Sequence, residues 1–311
     1  MTDPAVFWPT VLGLAFLAAG IFTYRRDLLT GTSRSVLRLA ALGPVFVAAS
    51  LAAFAGEHFT AARSLAELVP KWLPARVFIA YFVGAAHLAA ALSLVARRCV
   101  RWSAIFLAIM FALFVLLLYL PSAITHPAIR MVWIFPFREG TFAMGGLALF
   151  ANEVRLQWPR NSNKLAAVTR VWTAVAIIYF GVENLLYPQF SPGVPDTKPT
   201  SAWVPLPHAI AYLTGILLVV FGIAMLARKY ANSAGTLTGW LMLLLTLALY
   251  VPEFFLAHSA SQQVTAINFV ADTLLFAGTL LVVASASSGS ESARMGIAQS
   301  ASPSTSVATL R

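Results

Sequence analysis

Long apolar runs recur along the chain with short polar breaks between them, each too uniformly apolar to be one face of a water-soluble helix or strand. A helix that crosses a bilayer needs about 20 mostly apolar residues. Runs of that kind at 5–24, 36–56, 75–96, 102–120, 131–151, 167–187, 207–227, 237–256 and 264–284 predict nine spans. The fifth is the weakest, because Pro136, Arg138 and Glu139 interrupt it. Only a helix satisfies its own backbone groups within one segment in hydrocarbon. The expected fold is therefore all-α, a polytopic transmembrane helical bundle without a sizeable soluble domain.

Composition agrees with this pattern. Apolar residues make up 59% of the chain and charged residues only 10%, against about a quarter charged in a typical soluble domain. The mean hydropathy is +0.81. So little charge cannot cover a water-facing surface. The formal net charge of +10 does not point to nucleic acid, since the basic residues sit in clusters between apolar runs rather than on one folded patch. The single cysteine, Cys99, excludes an internal disulfide, a CxxC redox pair and a cysteine-ligated cluster.

The basic clusters give an orientation. Arg25, Arg26, Arg34 and Arg38, then Arg97, Arg98 and Arg101, then Arg155, Arg160, Lys164 and Arg170, then Arg228 and Lys229 fall in one set of alternate loops. The opposite set holds only Arg63, Lys71, Arg76, Arg130 and Lys198. The positive-inside rule places the richer set in the cytoplasm. The N-terminus is then outside, the C-terminus inside, Ser33 cytoplasmic and Ser191 periplasmic. The first run lacks a basic segment before it and a small-residue cleavage site after it, so it is expected to be retained as a helix. Beyond Ser285 the chain turns to Ser, Ala, Gly and Thr, and a disordered cytoplasmic tail is expected there.

The chain also matches itself at one constant offset. Trp72 and Pro74 fall on Trp203 and Pro205, Tyr81 and Gly84 on Tyr212 and Gly215, Ala96-Arg97-Arg98 on Ala227-Arg228-Lys229, and Tyr119-Leu120-Pro121 on Tyr250-Val251-Pro252. Nearby offsets pair Glu57 with Glu183, and His126, Thr141 and Gly146 with His258, Thr273 and Gly278. Matches at Trp, Pro, Tyr and paired basic residues indicate duplication of a four-helix unit. Four spans is an even number, so the two copies should be parallel repeats about an axis along the membrane normal. The organisation is then an N-terminal helix and basic loop (1–35), a first repeat (36–151), a cytoplasmic linker (152–164), a second repeat (165–286) and a tail (287–311). The loops that follow Glu57 and Glu183, rich in Pro and Trp, are expected to be re-entrant or interfacial.

Gly56-Glu57-His58-Phe59, Leu68-Val69-Pro70-Lys71-Trp72-Leu73-Pro74, Gly84, Ala96-Arg97-Arg98 and Tyr119-Leu120-Pro121 together resemble the DoxX and DoxX-like membrane proteins. The second copy keeps Glu183, Trp203, Pro205 and the basic turn but lacks the His-Phe pair. The resemblance implies a bacterial inner-membrane location and, for the family's namesake, association with a quinone-reducing thiosulfate oxidation system. It transfers no catalytic residue.

Ionisable residues inside spans are costly, about 2.5–3.5 kcal/mol each on insertion scales, and normally face the bundle interior with a partner. Glu57, His58, Arg138, Glu139, Glu183, Glu253 and Asp272 all map to the outer half, where they predict a polar outer cavity. It could hold a quinone headgroup, a cation or a polar solute, or be a structural ion-pair network. Arg138 is expected to pair with Glu57, because its neighbour Glu139 should point another way. Haem is disfavoured, since no histidine matches the depth of His87, and no ligand spacing supports a metal at His58, His126, His208 and His258. No phosphate loop, HExxH helix or nucleophile elbow occurs. Two functions remain: a membrane subunit or accessory component linked to quinone-dependent redox chemistry, working with a redox partner or as a homo-oligomer, or a small-solute or proton-coupled transporter. A transporter needs a polar path to both faces, and in the second helix of each unit the cytoplasmic halves, 85–96 and 217–227, hold no polar side chain apart from His87 and Ser93.

Overall fold

The computed structural model describes residues 3–30 and 39–300, with side chains of the last helix described as far as Ser287. Arg34, Arg38 and Ser33 of the first basic loop, and residues 301–311 of the expected tail, lie outside the described residues. Nine long helices form the bundle among the described residues: α1 (Pro4–Thr30), α2 (Gly43–Thr60), α3 (Arg76–Ala96), α4, α5 (Met131–Val154), α6 (Pro159–Leu186), α7 (Pro207–Leu226), α8 and α9 (Ala260–Ser300). Helix α4 begins at Val100–Phe114, passes through a π-helical turn at Val115–Tyr119 and ends in Leu120–Thr125. Helix α8 repeats that sequence as Ala231–Leu245, Thr246–Tyr250 and Val251–Leu256.

Eight of these stretches are long and apolar enough to cross a membrane. The chain is a multi-pass membrane protein embedded in a lipid bilayer. The ninth helix, α5, is 24 residues long but carries Arg138 and Glu139, which lower its apolar character. Helices α2 and α9 are buried along most of their length, whereas α1 and α4 turn most of their surface outward. The polar groups thus gather around α2, α5, α6 and α9, and the perimeter helices shield them from lipid.

Helix α9 does not stop where the composition changes. Its backbone stays helical to Ser300, past Ser285, where the composition predicts disorder. Arg155 anchors this stretch by donating to the carbonyls of Ser285 (3.4 Å) and Ala286 (3.2 Å). Ala and Ser carry little helix penalty, so a helix held at one end continues through them.

The structural elements recur at the offset read from the sequence. Helices α3 and α4 start at Arg76 and Val100, α7 and α8 at Pro207 and Ala231, and the π turns at Val115 and Thr246, the same interval in each case. Each of α3 and α7 is preceded by one residue in the left-handed region, Ala75 (φ 52°) and Leu206 (φ 49°). A π turn and a left-handed non-glycine residue are both uncommon, so the two groups share an unusual local design.

The packing exchanges partners between the two groups of four. Helix α2 lies against α1, α3 and α9, while α6 lies against α7, α5 and α9. The first helix of each group therefore packs on the last helix of the other. At the α2–α9 crossing a Cβ on Gly278 would stand 2.8 Å from the Gly43 carbonyl oxygen, and one on Gly43 would stand 3.0 Å from that of Gly278. Such backbone approach is the usual way helices associate where no hydrophobic force separates lipid from protein.

Candidate functional site

The two loops at the end of the bundle opposite the basic clusters behave differently. The first, after α2, makes one short turn at Ala62–Leu65 and then stays exposed or half-buried from 67 to 75. The second, after α6, turns inward: Ser191, Pro192, Gly193, Val194 and Pro195 are all buried. Gly193, at φ +110°, takes a conformation that side chains disfavour. Asn184 receives its N–H at 2.9 Å and donates to its carbonyl at 2.9 Å. The Tyr250 hydroxyl donates to the Pro192 carbonyl at 2.9 Å. The second loop therefore folds back into the bundle, while the first stays at its surface. The interval from Glu183 to Trp203 is longer than that from Glu57 to Trp72 by five positions, so the second loop has extra chain with which to reach inward.

Asn184→Ala removes both anchors of Gly193, and its expected effect is selective release of this loop. Hydrogen exchange at residues 189–200 should accelerate about tenfold or more, on the scale of one or two buried hydrogen bonds, while α9 stays protected. Equal acceleration in α9 would show that the loop is not an independent unit.

The acidic and basic residues of the spans are brought together in three groups. In the first, Arg138 donates to Asp272 of α9 at 3.2 Å and to Glu139 at 3.1 Å. Tyr119 and the Phe135 ring, 5.0 Å from the guanidinium carbon, flank it, and Tyr119 lies within electrostatic reach of Arg138 and Glu139. The expected Arg138–Glu57 pair is not formed. Glu57 instead accepts from the Asn268 amide of α9 at 3.1 Å, and its other carboxylate oxygen is buried without a partner among the described residues. Asp272 lies within electrostatic reach of Glu57. The reason is the exchanged packing: α2 faces α9, so what Glu57 meets is on α9. The Glu139 expectation also fails, because an arginine is long enough to fold back on its sequence neighbour when both sit against a common acid.

The second group is the Arg130–Glu183 ion pair, in which Arg130 also donates to the Asp196 carbonyl (3.3 Å) and covers the Tyr187 ring (4.3 Å). In the third, Lys198 pairs with Glu253, which also accepts from Ser201 at 2.7 Å. These two groups pin the second loop. The predicted set thus divides: Glu57, Arg138, Glu139 and Asp272 share a centre between the two halves, while Glu183 and Glu253 act as tethers.

His58 goes to neither. Its Nδ1 donates to the Phe54 carbonyl at 2.8 Å, and its ring lies edge-on to His87, 5.3 Å between centroids. His87 therefore has a histidine near its depth, contrary to expectation. The apolar pattern did not show that His58 packs against Gly84, one turn before His87. Among the described residues no group of three or more His, Cys, Asp or Glu is placed to hold a metal ion. His126 is exposed, and His208 and His258 lie at the same rim, away from the His58–His87 contact. Sequence reasoning missed Asn268, Asn184, Arg130 and Lys198 as partners. Asn268 and Asn184 offered a signal, being amides inside apolar runs.

Below the Arg138 centre lies a layer of aromatic rings. Phe142 and Phe276 stand one helical turn beyond Arg138 and Asp272, and their centroids are 6.0 Å apart. Phe111 continues the layer on one side, 5.4 Å from Phe142, and Phe180 on the other, 5.5 Å from Phe276. Phe180 and Phe276 are fully buried. Toward the basic end follow Leu280, Leu281, Val283 and Leu94, also buried.

A family model described as a domain of unknown function (DUF8561) matches residues 47–130, from α2 to the turn before α5. No curated protein matches the chain. No solved structure matches it either.

Proposed function

We propose that the chain is a DoxX-like subunit of the bacterial inner membrane that offers a one-sided polar centre to a membrane partner carrying quinone-linked redox chemistry. The observation that carries this reading is the Phe111–Phe142–Phe276–Phe180 layer beneath Arg138, Glu139 and Asp272. A transporter would need polar groups continuing through that level, and a row of four apolar rings there favours a site served from one face or from the bilayer. The Tyr119–Phe135 stack, 5.2 Å between centroids, lies beside Arg138 with both rings half-buried, in keeping with lateral approach of an apolar ring-bearing molecule. The constant offset between the two groups of helices supports duplication of one four-helix unit into parallel copies. Purification from native membrane in mild detergent should bring down a redox partner and a lipophilic quinone. Solute uptake by the chain alone in liposomes would favour the transporter reading instead.

With the basic end in the cytoplasm, the N-terminus starts outside. Cys99, exposed in the turn between α3 and α4, is a built-in reporter. In intact cells a membrane-impermeant maleimide should leave Cys99 unmodified and react with it after permeabilisation. Ser191 is buried and unsuited to labelling, but Thr197 in the same loop is exposed. Thr197→Cys in a Cys99→Ser background should label in intact cells. The reverse pattern would overturn the orientation.

A further inference from the structure

The inward loop of the second half occupies a place whose counterpart in the first half contains no loop. Its tip, Gly193, packs against Met242 and Leu245, and its peptide groups are held by Asn184 and Tyr250. At the offsets established above, the corresponding residues of the first half are Phe111 and Phe114 for Met242 and Leu245, His58 for Asn184 and Tyr119 for Tyr250, while His87 stands where Leu218 lies in the second half. Leu218 is apolar and fully buried. His87 is only 3% exposed, and both of its ring nitrogens lack a hydrogen-bond partner among the described residues. A buried imidazole without partners is costly, and in a native protein it calls for an occupant that satisfies it. Tyr250 is buried under the loop, whereas Tyr119 is half-buried.

The donors and acceptors at this place are defined by their bonds. Since the Nδ1 of His58 donates to the Phe54 carbonyl, its Nε2 in the neutral ring accepts. A neutral His87 has one donor and one acceptor nitrogen, whereas Tyr119, the counterpart of Tyr250, lies instead beside Arg138. The surrounding rings are apolar: Phe54 and Phe111 lie 6.1 Å and 6.0 Å from His87. Phe111 and Phe114 are bulkier than Met242 and Leu245, so the place suits a small head rather than a peptide segment. Helices α3 and α4 are perimeter helices whose exposed Phe78, Phe82, Leu116 and Leu117 put lipid beside this place.

We infer that His58, His87, Phe111 and Phe114, joined by ring contacts, form a binding site for a neutral, lipid-soluble molecule whose small head carries both a hydrogen-bond donor and a carbonyl acceptor. That is the chemistry of the peptide group that fills the same place in the second half. The site does not depend on the subunit reading, since it would serve a transporter, a subunit or a lipid-binding protein alike.

The test uses the purified full-length chain in detergent and N-decylacetamide, an alkyl-tailed secondary amide, with decane as the apolar control. The amide should raise the melting temperature saturably, and decane should not. His87→Leu, which installs the residue of the second half, should weaken the amide by about tenfold, as expected for one buried hydrogen bond. Tyr250→Phe should leave its affinity unchanged. Absence of a saturable shift in the wild type, equal affinity in His87→Leu, an equal response to decane, or loss of binding in Tyr250→Phe would each overturn the inference. Circular dichroism without ligand identifies a misfolded variant. If His87→Leu fails in that way, His58→Asn decides in its place, with the same loss expected and unchanged affinity overturning the site.

Discussion

Arg138→Leu should destabilise the protein by about 3–5 kcal/mol, because it strands two buried carboxylates, Glu139 and Asp272, whose ion pairs among the described residues are both with this arginine. Both acids are largely buried and both accept from Arg138. Adding Asp272→Leu should recover a large part of the loss, since the second change removes the stranded charge on α9. Adding Glu57→Leu should not, because Glu57 bonds to Asn268 rather than to Arg138. Unfolding in detergent of the single variants and the two double variants measures both couplings. Additive effects for Arg138 and Asp272 would mean that their contact contributes nothing.

Phe276→Ala should be comparably severe, at about 3–5 kcal/mol for a large aromatic side chain lost from a packed core. Phe276 touches Phe142 on one side and Phe180 on the other, so its loss leaves a gap where the two halves meet. The functional consequence is separable from the stability cost. Liposomes containing Phe276→Ala should dissipate an imposed pH gradient faster than those containing wild type. Phe255→Ala, at a side chain 75% exposed, should alter neither stability nor leak. An unchanged gradient with Phe276→Ala would show that the seal lies deeper, among Leu280, Leu281 and Val283.

The sequence specified most of what depends on local pattern. Nine helices, the recurrence of α3 and α4 in α7 and α8, and the placement of ionisable groups at one end follow from apolar runs, Trp and Pro positions, and the distribution of Arg and Lys. The partners of those groups were not legible. Pairing Arg138 with Glu57 assumes that helices of one repeat pack with each other, whereas α2 turns to α9 and α6 to α5. Nothing in the apolar pattern of α2 distinguishes those neighbours, because Gly and Ala on every side of it permit close approach anywhere. The inward course of the second loop was legible only in part: Pro and Trp suggest a re-entrant or interfacial course for both loops, and the added length of the second separates them. The tail shows the opposite error, since a composition poor in apolar residues does not prevent a helix from continuing.

The exchanged packing also sets an order of events during synthesis. Glu57 and the Asn268 that satisfies it are 211 residues apart, so as spans enter the bilayer one after another this carboxyl waits for the last of them. Until then α2 has only α1 and α3 beside it, and its free flank, with Gly43, Phe46 and Val47, rests against lipid at little cost because those residues are apolar. The Glu57 end is different, since hydrocarbon offers a carboxyl no partner. Arrival of α9 therefore acts as a clasp, closing both halves in one late step and leaving a chain that lacks this helix with a buried acid turned toward the bilayer.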